Sequence, residues 1–111
     1  MGMEYRRVGH AGIKTSVFSY GSWLTFGSQQ EREASLECMQ AAYEAGINFF
    51  DNAEVYAGGQ SETVMGEALK EFDWPRHSYL VSTKYFWGIH RDVPNAFFTL
   101  NRKYLLEAMD Q

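Results

Sequence analysis

The sequence predicts an α/β fold built on a parallel sheet. Across the 111 residues, three strand-like apolar stretches recur roughly every thirty residues, and helical patterns fill the intervals. This spacing is the size of a strand–helix–strand unit, in which the two strands run parallel. A doubly wound sheet and the opening of a (β/α)₈ barrel both fit this order. The barrel is favoured, because no G-x-G-x-x-G follows the first strand and no phosphate-binding G-x-x-x-x-G-K-[ST] occurs.

The strands follow from β-branched and aromatic residues between turn signals. Residues 4–8 and 13–15, separated by a glycine-containing turn, predict a leading β-hairpin. Residues 16–21 are rich in β-branched and aromatic side chains and predict the first strand of the main sheet. The second and third strands are expected at 47–50 and 80–84.

Three helices are predicted between and after these strands. Apolar residues at helical spacing indicate a helix over 31–45, and Gly46 is a suitable stop. A second helix is expected to begin at Ser61 as its N-cap and to end before Trp74-Pro75. A third helix is predicted to follow Asn101, another good N-cap.

Composition narrows the class of protein. With 45% hydrophobic and 22% charged residues the chain is globular, and a net charge of −4 argues against nucleic acid as a main partner. No apolar run approaches the about eighteen residues of a membrane span, so no membrane partner is expected. The single Cys38 cannot form an internal disulfide, which together with the absence of a signal-like N-terminus favours a cytoplasmic location. We expect Cys38 itself to be a core or half-buried residue.

Asp51 and Lys84 lie at the carboxyl ends of two consecutive predicted strands. Because neighbouring parallel strands lie about 4.8 Å apart, residues at their carboxyl ends can meet. A buried ammonium is costly without a counter-charge, and pairing with Asp51 would keep Lys84 charged. The alternative interpretation is a solvated lysine at the end of a strand.

Tyr56 lies five residues beyond Asp51, so the connecting loop can fold it back over the sheet edge. A nearby ammonium lowers the pKa of a tyrosine from its ordinary value of about 10. A tyrosine tuned in this way can protonate a carbonyl oxygen while a hydride reaches the carbonyl carbon. A loop tyrosine that serves only in packing is the alternative.

Aromatic residues cluster directly after the predicted strands. Such side chains suit a largely apolar ligand pocket with few polar groups, although packing explains any one of them equally well. They are Trp23, Phe26, Tyr85, Phe86 and Trp87, the last three opening a long loop over 85–100.

These segments together resemble the aldo-keto reductase superfamily, in particular the branch of potassium-channel β-subunits and their bacterial relatives. The matches run in order from about residue 4 to the C-terminus. They are Tyr5-Arg6-Arg7-Val8-Gly9, Gly21-Ser22-Trp23-Leu24-Thr25-Phe26-Gly27, the run from Ala45 to Tyr56 containing Asp51-Asn52-Ala53-Glu54-Val55-Tyr56, Ser61-Glu62, Gly66, Ser82-Thr83-Lys84, Phe86-Trp87-Gly88 and Leu100-Asn101-Arg102-Lys103.

The resemblance implies an NADPH-dependent (β/α)₈ oxidoreductase that reduces aldehydes and ketones. By position, Tyr56 would be the proton donor, Lys84 would lower its pKa, and Asp51 would hold Lys84 and border the cofactor. Ser22 and Trp23 would lie beside the nicotinamide, and Gln29 near the phosphates of NADP(H). Small carbonyl substrates would contact Trp23, Tyr56 and Trp87. No metal is implied.

The chain is shorter than such a barrel, which takes about 250 residues. Residues 1–111 would supply a partial oxidoreductase domain: the leading hairpin and about three of eight units. The fourth residue of the family's catalytic tetrad, a His or in the channel branch an Asn, lies on a later strand, and His10, His77 and His90 do not replace it. We therefore expect the 111-residue chain alone to lack appreciable reductase activity.

Two other functions stay open at this point. A channel-type β-subunit would bind a partner and sense its redox state, and a stand-alone interaction domain would retain the motifs without the chemistry. Oligomerisation is compatible with these residues.

Overall fold

A computed structural model describes residues 2–22 and 29–111. Two sheets, three α-helices and two short 3₁₀ turns make up this part of the chain. The elements are β1 (Tyr5–Arg7), β2 (Lys14–Ser16), β3 (Tyr20–Gly21), α1 (Gln29–Glu44), β4 (Phe49–Asp51), a 3₁₀ turn (Tyr56–Gly59), α2 (Gln60–Phe72), a second 3₁₀ turn (Arg76–Ser78), β5 (Leu80–Ser82) and α3 (Arg102–Met109).

The main sheet is parallel and has the strand order β3-β4-β5, which confirms the predicted α/β class. Asp51 lies opposite Gly21 on one side and opposite Ser82 on the other. Backbone pairing between β4 and β5 continues beyond their ends, since Asn52 donates to Ser82 over 2.8 Å and Glu54 to Lys84 over 3.1 Å. Within the described residues the sheet stays open and does not close into a barrel.

The predicted leading hairpin is present, and β1 pairs with β2 in antiparallel register. The prediction of a main-sheet strand over 16–21 is confirmed only for Tyr20–Gly21, because Ser16 belongs to the hairpin strand β2 and residues 17–19 lie outside both strands. Ser16 closes β2, its hydroxyl donates to Phe18 O over 2.5 Å, and Val17 and Phe18 are exposed. Strand propensity is realised only where a partner strand is present, and here a side chain–backbone hydrogen bond favours a turn instead.

Helix α1 confirms the prediction over 31–45 and ends as expected. Gly46 adopts φ +97°, the left-handed geometry of a helix stop. A Cβ at this position would lie 2.8 Å from Cβ of Met3, so the close approach of the N-terminal segment also requires glycine. The hydroxyl of Tyr5 donates to Gly46 O over 2.6 Å, which ties the hairpin to the end of α1.

The boundaries of α2 differ from the prediction. Its N-cap is Gly59, and Ser61 is instead a buried residue of the first turn whose hydroxyl donates to Ser22. The helix ends at Phe72, because Asp73 takes left-handed geometry before Trp74-Pro75 is reached. Asn101 caps α3 as predicted, its side-chain oxygen accepting from the backbone of Tyr104 over 2.8 Å.

The core lies between the two long helices and the sheet. Phe50 of β4 is fully buried at its centre, and Trp74 stacks on Tyr43 with ring centroids 3.9 Å apart. The remaining buried members of this cluster are Met39, Met65, Ala68 and Tyr79. Cys38 is exposed, so the expectation of a core or half-buried cysteine is wrong.

Side chains alternate along β4, which decides where the polar residue of that strand lies. Because Phe50 faces the core, Phe49 and Asp51 point to the other face of the sheet, where both are partly accessible. Asp51 is also the last residue of β4, so it lies at the carboxyl edge of the sheet. None of the described helices is long and apolar enough to cross a membrane.

Candidate active site

Asp51 and Lys84 form an ion pair at the carboxyl edge of the sheet. Nζ of Lys84 lies 2.8 Å from Oδ1 and 2.7 Å from Oδ2 of Asp51. It also donates to the backbone oxygen of Asn52 over 2.6 Å. An ammonium has three N–H donors, so these three acceptors satisfy it completely and fix its position.

Two serines hold the carboxylate and its strand in place. The hydroxyl of Ser82 donates to Oδ1 of Asp51 over 2.5 Å, and that of Ser22 donates to the backbone oxygen of Asp51 over 2.8 Å. Sequence reasoning did not place Ser82 in the site. Its position opposite Asp51 is set by the register between β4 and β5, which the apolar pattern of the two strands does not record.

Tyr56 opens the 3₁₀ turn that follows β4, which brings its ring over the same edge. Nζ of Lys84 lies 5.1 Å from the centroid of this ring, within the range of a cation–π contact. Partial burial pulls the pKa of Lys84 down, but the hydrogen bond and charge of Asp51, together with Tyr56, outweigh it. The pKa of Lys84 is therefore raised above its ordinary value of 10.5, and the side chain stays cationic at neutral pH.

A cavity of about 370 Å³ opens beside Tyr56. It is lined by Val55, Tyr56, Trp87, Gly88, Arg91, Phe97 and Phe98. The aromatic walls support one another, since the rings of Trp87 and Phe98 meet edge to face with centroids 5.4 Å apart. Gly88 makes this possible: it adopts φ +71°, and a Cβ there would lie 2.2 Å from the backbone oxygen of Ala96.

The structure brings Asp51, Tyr56 and Lys84 together and sets Trp87 in the wall of the adjoining cavity. Ser22 is 1% exposed, and its hydroxyl is engaged by Asp51 and Ser61, so it supports the strand edge. Trp23 lies outside the described residues, as does the side chain of Gln29, the first residue of α1. The cofactor contacts predicted for these residues stay predictions.

A second polar network, which the sequence did not indicate, holds the segment that follows β4. Glu54 is 4% exposed, and one of its carboxylate oxygens accepts from the hydroxyl of Tyr104 on α3. The other oxygen is buried and has no hydrogen-bond partner among the described residues. Glu62 in the first turn of α2 accepts from the hydroxyl of Thr83, which ties that helix to the end of β5. These contacts join elements far apart in sequence and leave no local pattern.

Substitution of Tyr104 by Phe is expected to destabilise the fold by about 2–4 kcal/mol, because it leaves a buried carboxylate without its donor. Urea unfolding measures the change. Tyr43→Phe is the matched control: its hydroxyl bonds Ser78 in a half-buried position, and its loss should cost about 1 kcal/mol. Adding Glu54→Gln to Tyr104→Phe removes the stranded charge and should recover part of the loss. Equal costs for the two tyrosine variants would contradict this role of Glu54.

Stability is also expected to fall above about pH 10. Burial first, and then the hydrogen bond from Tyr104 to Glu54, raise the pKa of Tyr104, and burial likewise raises the pKa of Tyr85. A raised pKa means that the unfolded chain loses its protons first, so the stabilisation present below pH 10 is lost as the pH rises. Unfolding free energies between pH 8 and about 11 test this, and Tyr104→Phe should flatten the decline. A stability that does not change over this range would contradict it.

Comparison with known families assigns the chain to a class. The model of the Aldo/keto reductase family matches residues 18–111, and the chain belongs to this family. Members of the family typically depend on NAD(P)H and act on carbonyl compounds. The sequence-based resemblance is thereby confirmed.

Curated relatives agree with the particular branch that the sequence indicated. The chain is 44% identical over 107 residues to a protein of Oryza sativa subsp. japonica named as a probable voltage-gated potassium channel subunit beta. It is 45% identical over 105 residues to the protein of the same name from Arabidopsis thaliana. These matches cover 96% and 95% of this chain but 32% and 31% of the relatives, so the chain spans about a third of their length.

Solved structures give the same picture of the fold. An aldo-keto reductase from Bacillus halodurans, AKR11C1 in its holo form, superposes with a TM-score of 0.80 at 23% identity, over 97% of this chain and 34% of that one. The thermostable aldo-keto reductase Tm1743, solved with the inhibitor epalrestat, gives 0.76 at 27% identity, over 97% and 36%. The described elements thus correspond to about a third of an aldo-keto reductase.

Proposed function

We propose that residues 1–111 form the N-terminal portion, about three of eight units, of a (β/α)₈ NADPH-dependent reductase of aldehydes and ketones. One observation carries this proposal. A fully hydrogen-bonded ammonium, that of Lys84, is held over the ring of Tyr56 beside an aromatic cavity. A tyrosine next to a fixed cation is suited to donate a proton in a site that is otherwise apolar.

Tyr56 is the proton donor in this mechanism. A carbonyl compound in the cavity accepts a hydrogen bond from the Tyr56 hydroxyl, and the proton moves to the carbonyl oxygen as negative charge develops there. The phenolate left behind is stabilised by the cation of Lys84, whose own three protons are bound to Asp51 and Asn52. Lys84 therefore acts as a fixed charge and not as a proton source.

The side chains of the site fit a nicotinamide cofactor, because they can supply a proton but not a hydride. Tyr56 can polarise and protonate a carbonyl, and no amino-acid side chain can give the hydride that the reduction also needs. When bound, NADPH supplies that hydride. Asp51, Trp23 and Gln29 remain the residues proposed to border the cofactor. Ser22 contributes indirectly, through the strand edge that its hydroxyl supports.

The test is carbonyl-dependent oxidation of NADPH by a chimeric barrel. Residues 1–111 would replace the corresponding third of the Bacillus halodurans reductase, which this chain matches over 34% of its length. We expect the chimera to reduce aromatic aldehydes, the parent enzyme serving as the positive control. The 111-residue chain alone is expected to show no turnover. A folded chimera that oxidises no NADPH on addition of carbonyl compounds would sink the proposal.

A second candidate function rests on the 44–45% identity to probable potassium-channel β-subunits. In that case the domain binds a channel and uses its cofactor to report redox state. Turnover separates the two functions. Tight binding of a channel partner to the chimera would favour the β-subunit role if each bound NADPH passes its hydride to one carbonyl molecule and no steady-state reduction follows.

A further inference from the structure

The cavity beside Tyr56 contains one feature that proton donation and hydride transfer do not use. Arg91 lines it among apolar and aromatic walls, and among its lining residues no acidic side chain is present. In the part of the chain that the structure describes, Arg91 makes no salt bridge, although Asp92 is its neighbour in sequence. Its guanidinium thus has no carboxylate partner among the described residues and lies in the lining of a largely hydrophobic pocket.

The backbone holds this arginine in place. Val93 N donates to His90 O over 3.1 Å and closes a turn that has Arg91 at its second position. Ala96 N donates to Val93 O over 3.0 Å. Phe98 N donates to Trp87 O over 3.3 Å, which joins the two ends of the segment 87–98. Arg91 is therefore carried by an ordered turn rather than by an unsupported loop.

Charge separates this cavity from its neighbour. A different cavity, of about 570 Å³, has the acidic side chains of Glu54 and Glu62 among its lining residues. The cavity of Tyr56 offers a guanidinium and has the cation of Lys84 against the ring of its tyrosine. An anionic ligand is accordingly favoured beside Tyr56 and disfavoured in the other cavity.

We propose that Arg91 selects carbonyl substrates that carry a carboxylate on an apolar or aromatic body. The carbonyl lies at Tyr56, the body packs against Trp87 and Phe98, and the carboxylate binds the guanidinium in a forked pair of hydrogen bonds. This inference rests on the proposed reductase function for the position of the carbonyl. It goes beyond that function by naming the class of substrate.

Two probes of nearly the same shape test the proposal on the 111-residue chain. 4-Formylbenzoate carries the carboxylate, and 4-nitrobenzaldehyde is its uncharged counterpart. Dissociation constants come from titrations followed on the indole resonance of Trp87, without cofactor. At low salt we expect the carboxylate probe to bind about five- to tenfold more tightly. Added salt should reduce this preference, because Arg91 is exposed.

Variants of Arg91 assign the preference to this side chain. Arg91→Gln should bring the two probes within about twofold of each other, and Arg91→Lys should retain part of the preference. Arg102→Gln, which removes an exposed arginine of α3 that does not line the cavity, should leave it unchanged. Equal binding of the two probes to the unmodified chain, no binding of either, or a preference that survives Arg91→Gln would overturn the inference.

Failure of the inference and failure of the proposed function are distinguishable, because binding does not require hydride transfer. A chimeric barrel that reduces both probes with the same kcat/KM keeps the reductase function and overturns the role of Arg91. A barrel without turnover, whose Arg91-dependent preference persists in binding, overturns the reductase function and leaves the anion site in place.

Discussion

Replacement of Tyr56 by Phe in the chimeric barrel is expected to lower kcat by about 10²- to 10⁴-fold, the range that general acid catalysis supplies. The change removes one hydroxyl and keeps the ring that lies 5.1 Å from Nζ of Lys84 and lines the cavity. Substrate binding should therefore change little. The loss should appear in kcat at nearly constant dissociation constant for the aldehyde, which single-turnover kinetics and titration measure separately.

Tyr5→Phe is the matched control for this variant. Its hydroxyl donates a hydrogen bond to the backbone of Gly46, just after α1, and takes no part in the proposed site. Loss of this hydroxyl should therefore leave kcat unchanged. A Tyr56→Phe barrel that retains more than about a tenth of the activity would contradict proton donation by Tyr56.

Removal of the Lys84 cation is expected to have the second large effect on kcat. Lys84→Ala is expected to lower kcat by about 30- to 1000-fold, since a charge this close to the phenol is worth about 2–4 kcal/mol to a developing phenolate. The side chain of Lys84 is 49% exposed, so a small primary alkylammonium ion can enter the space that Ala leaves. Such an ion should restore part of the activity, in proportion to its concentration.

Rescue distinguishes a charge from a structural support. A neutral alcohol of the same size should not restore activity, and Lys70→Ala, on the exposed surface of α2, should have no effect. In the unmodified barrel the charge of Lys84 is present throughout the neutral range, because, despite partial burial, the hydrogen bond and charge of Asp51, together with Tyr56, raise the pKa of Lys84 above its ordinary value. Equal rescue by alcohol and alkylammonium would show that Lys84 only fills space.

The meeting of Asp51 and Lys84 could be foreseen from the sequence, because strand order and parallel pairing are enough to bring two strand ends together. The details could not. Asp51 is opposite Ser82 in the sheet, and Lys84 lies two residues further on and reaches back through its flexible chain. Strand ends are set by where backbone pairing and side-chain hydrogen bonds stop, and apolar patterns do not record this.

Hydrogen bonding also explains why the predictions at Ser61 and at Ser16 were wrong. Ser61 has the side chain of a good N-cap, but its hydroxyl finds Ser22 in the interior and Gly59 takes the cap position. Ser16 begins a strand-like run, yet its backbone N–H donates to Asn48 and its hydroxyl to Phe18, which turns the chain. In both places a residue distant in sequence or a competing local bond outweighs propensity.

The aromatic cavity was predictable in kind but not in shape. Trp87 was expected to wall a carbonyl pocket, whereas Phe97, Phe98 and Arg91 join it only because the loop folds back at Gly88 onto Ala96. Such closure depends on contacts within an irregular segment that has no hydrophobic period. The same holds for Glu54 and Tyr104, which are fifty residues apart in the chain.

Transfer of deuterium from deuterated NADPH to an aldehyde tests the central claim most directly. With the chimeric barrel and 4-nitrobenzaldehyde, we expect an alcohol that carries one deuterium on the former carbonyl carbon, formed at least a hundredfold more slowly after Tyr56→Phe. Mass spectrometry of the product measures the label. An alcohol without deuterium, or labelled alcohol formed equally fast by the Tyr56→Phe barrel, would contradict the account.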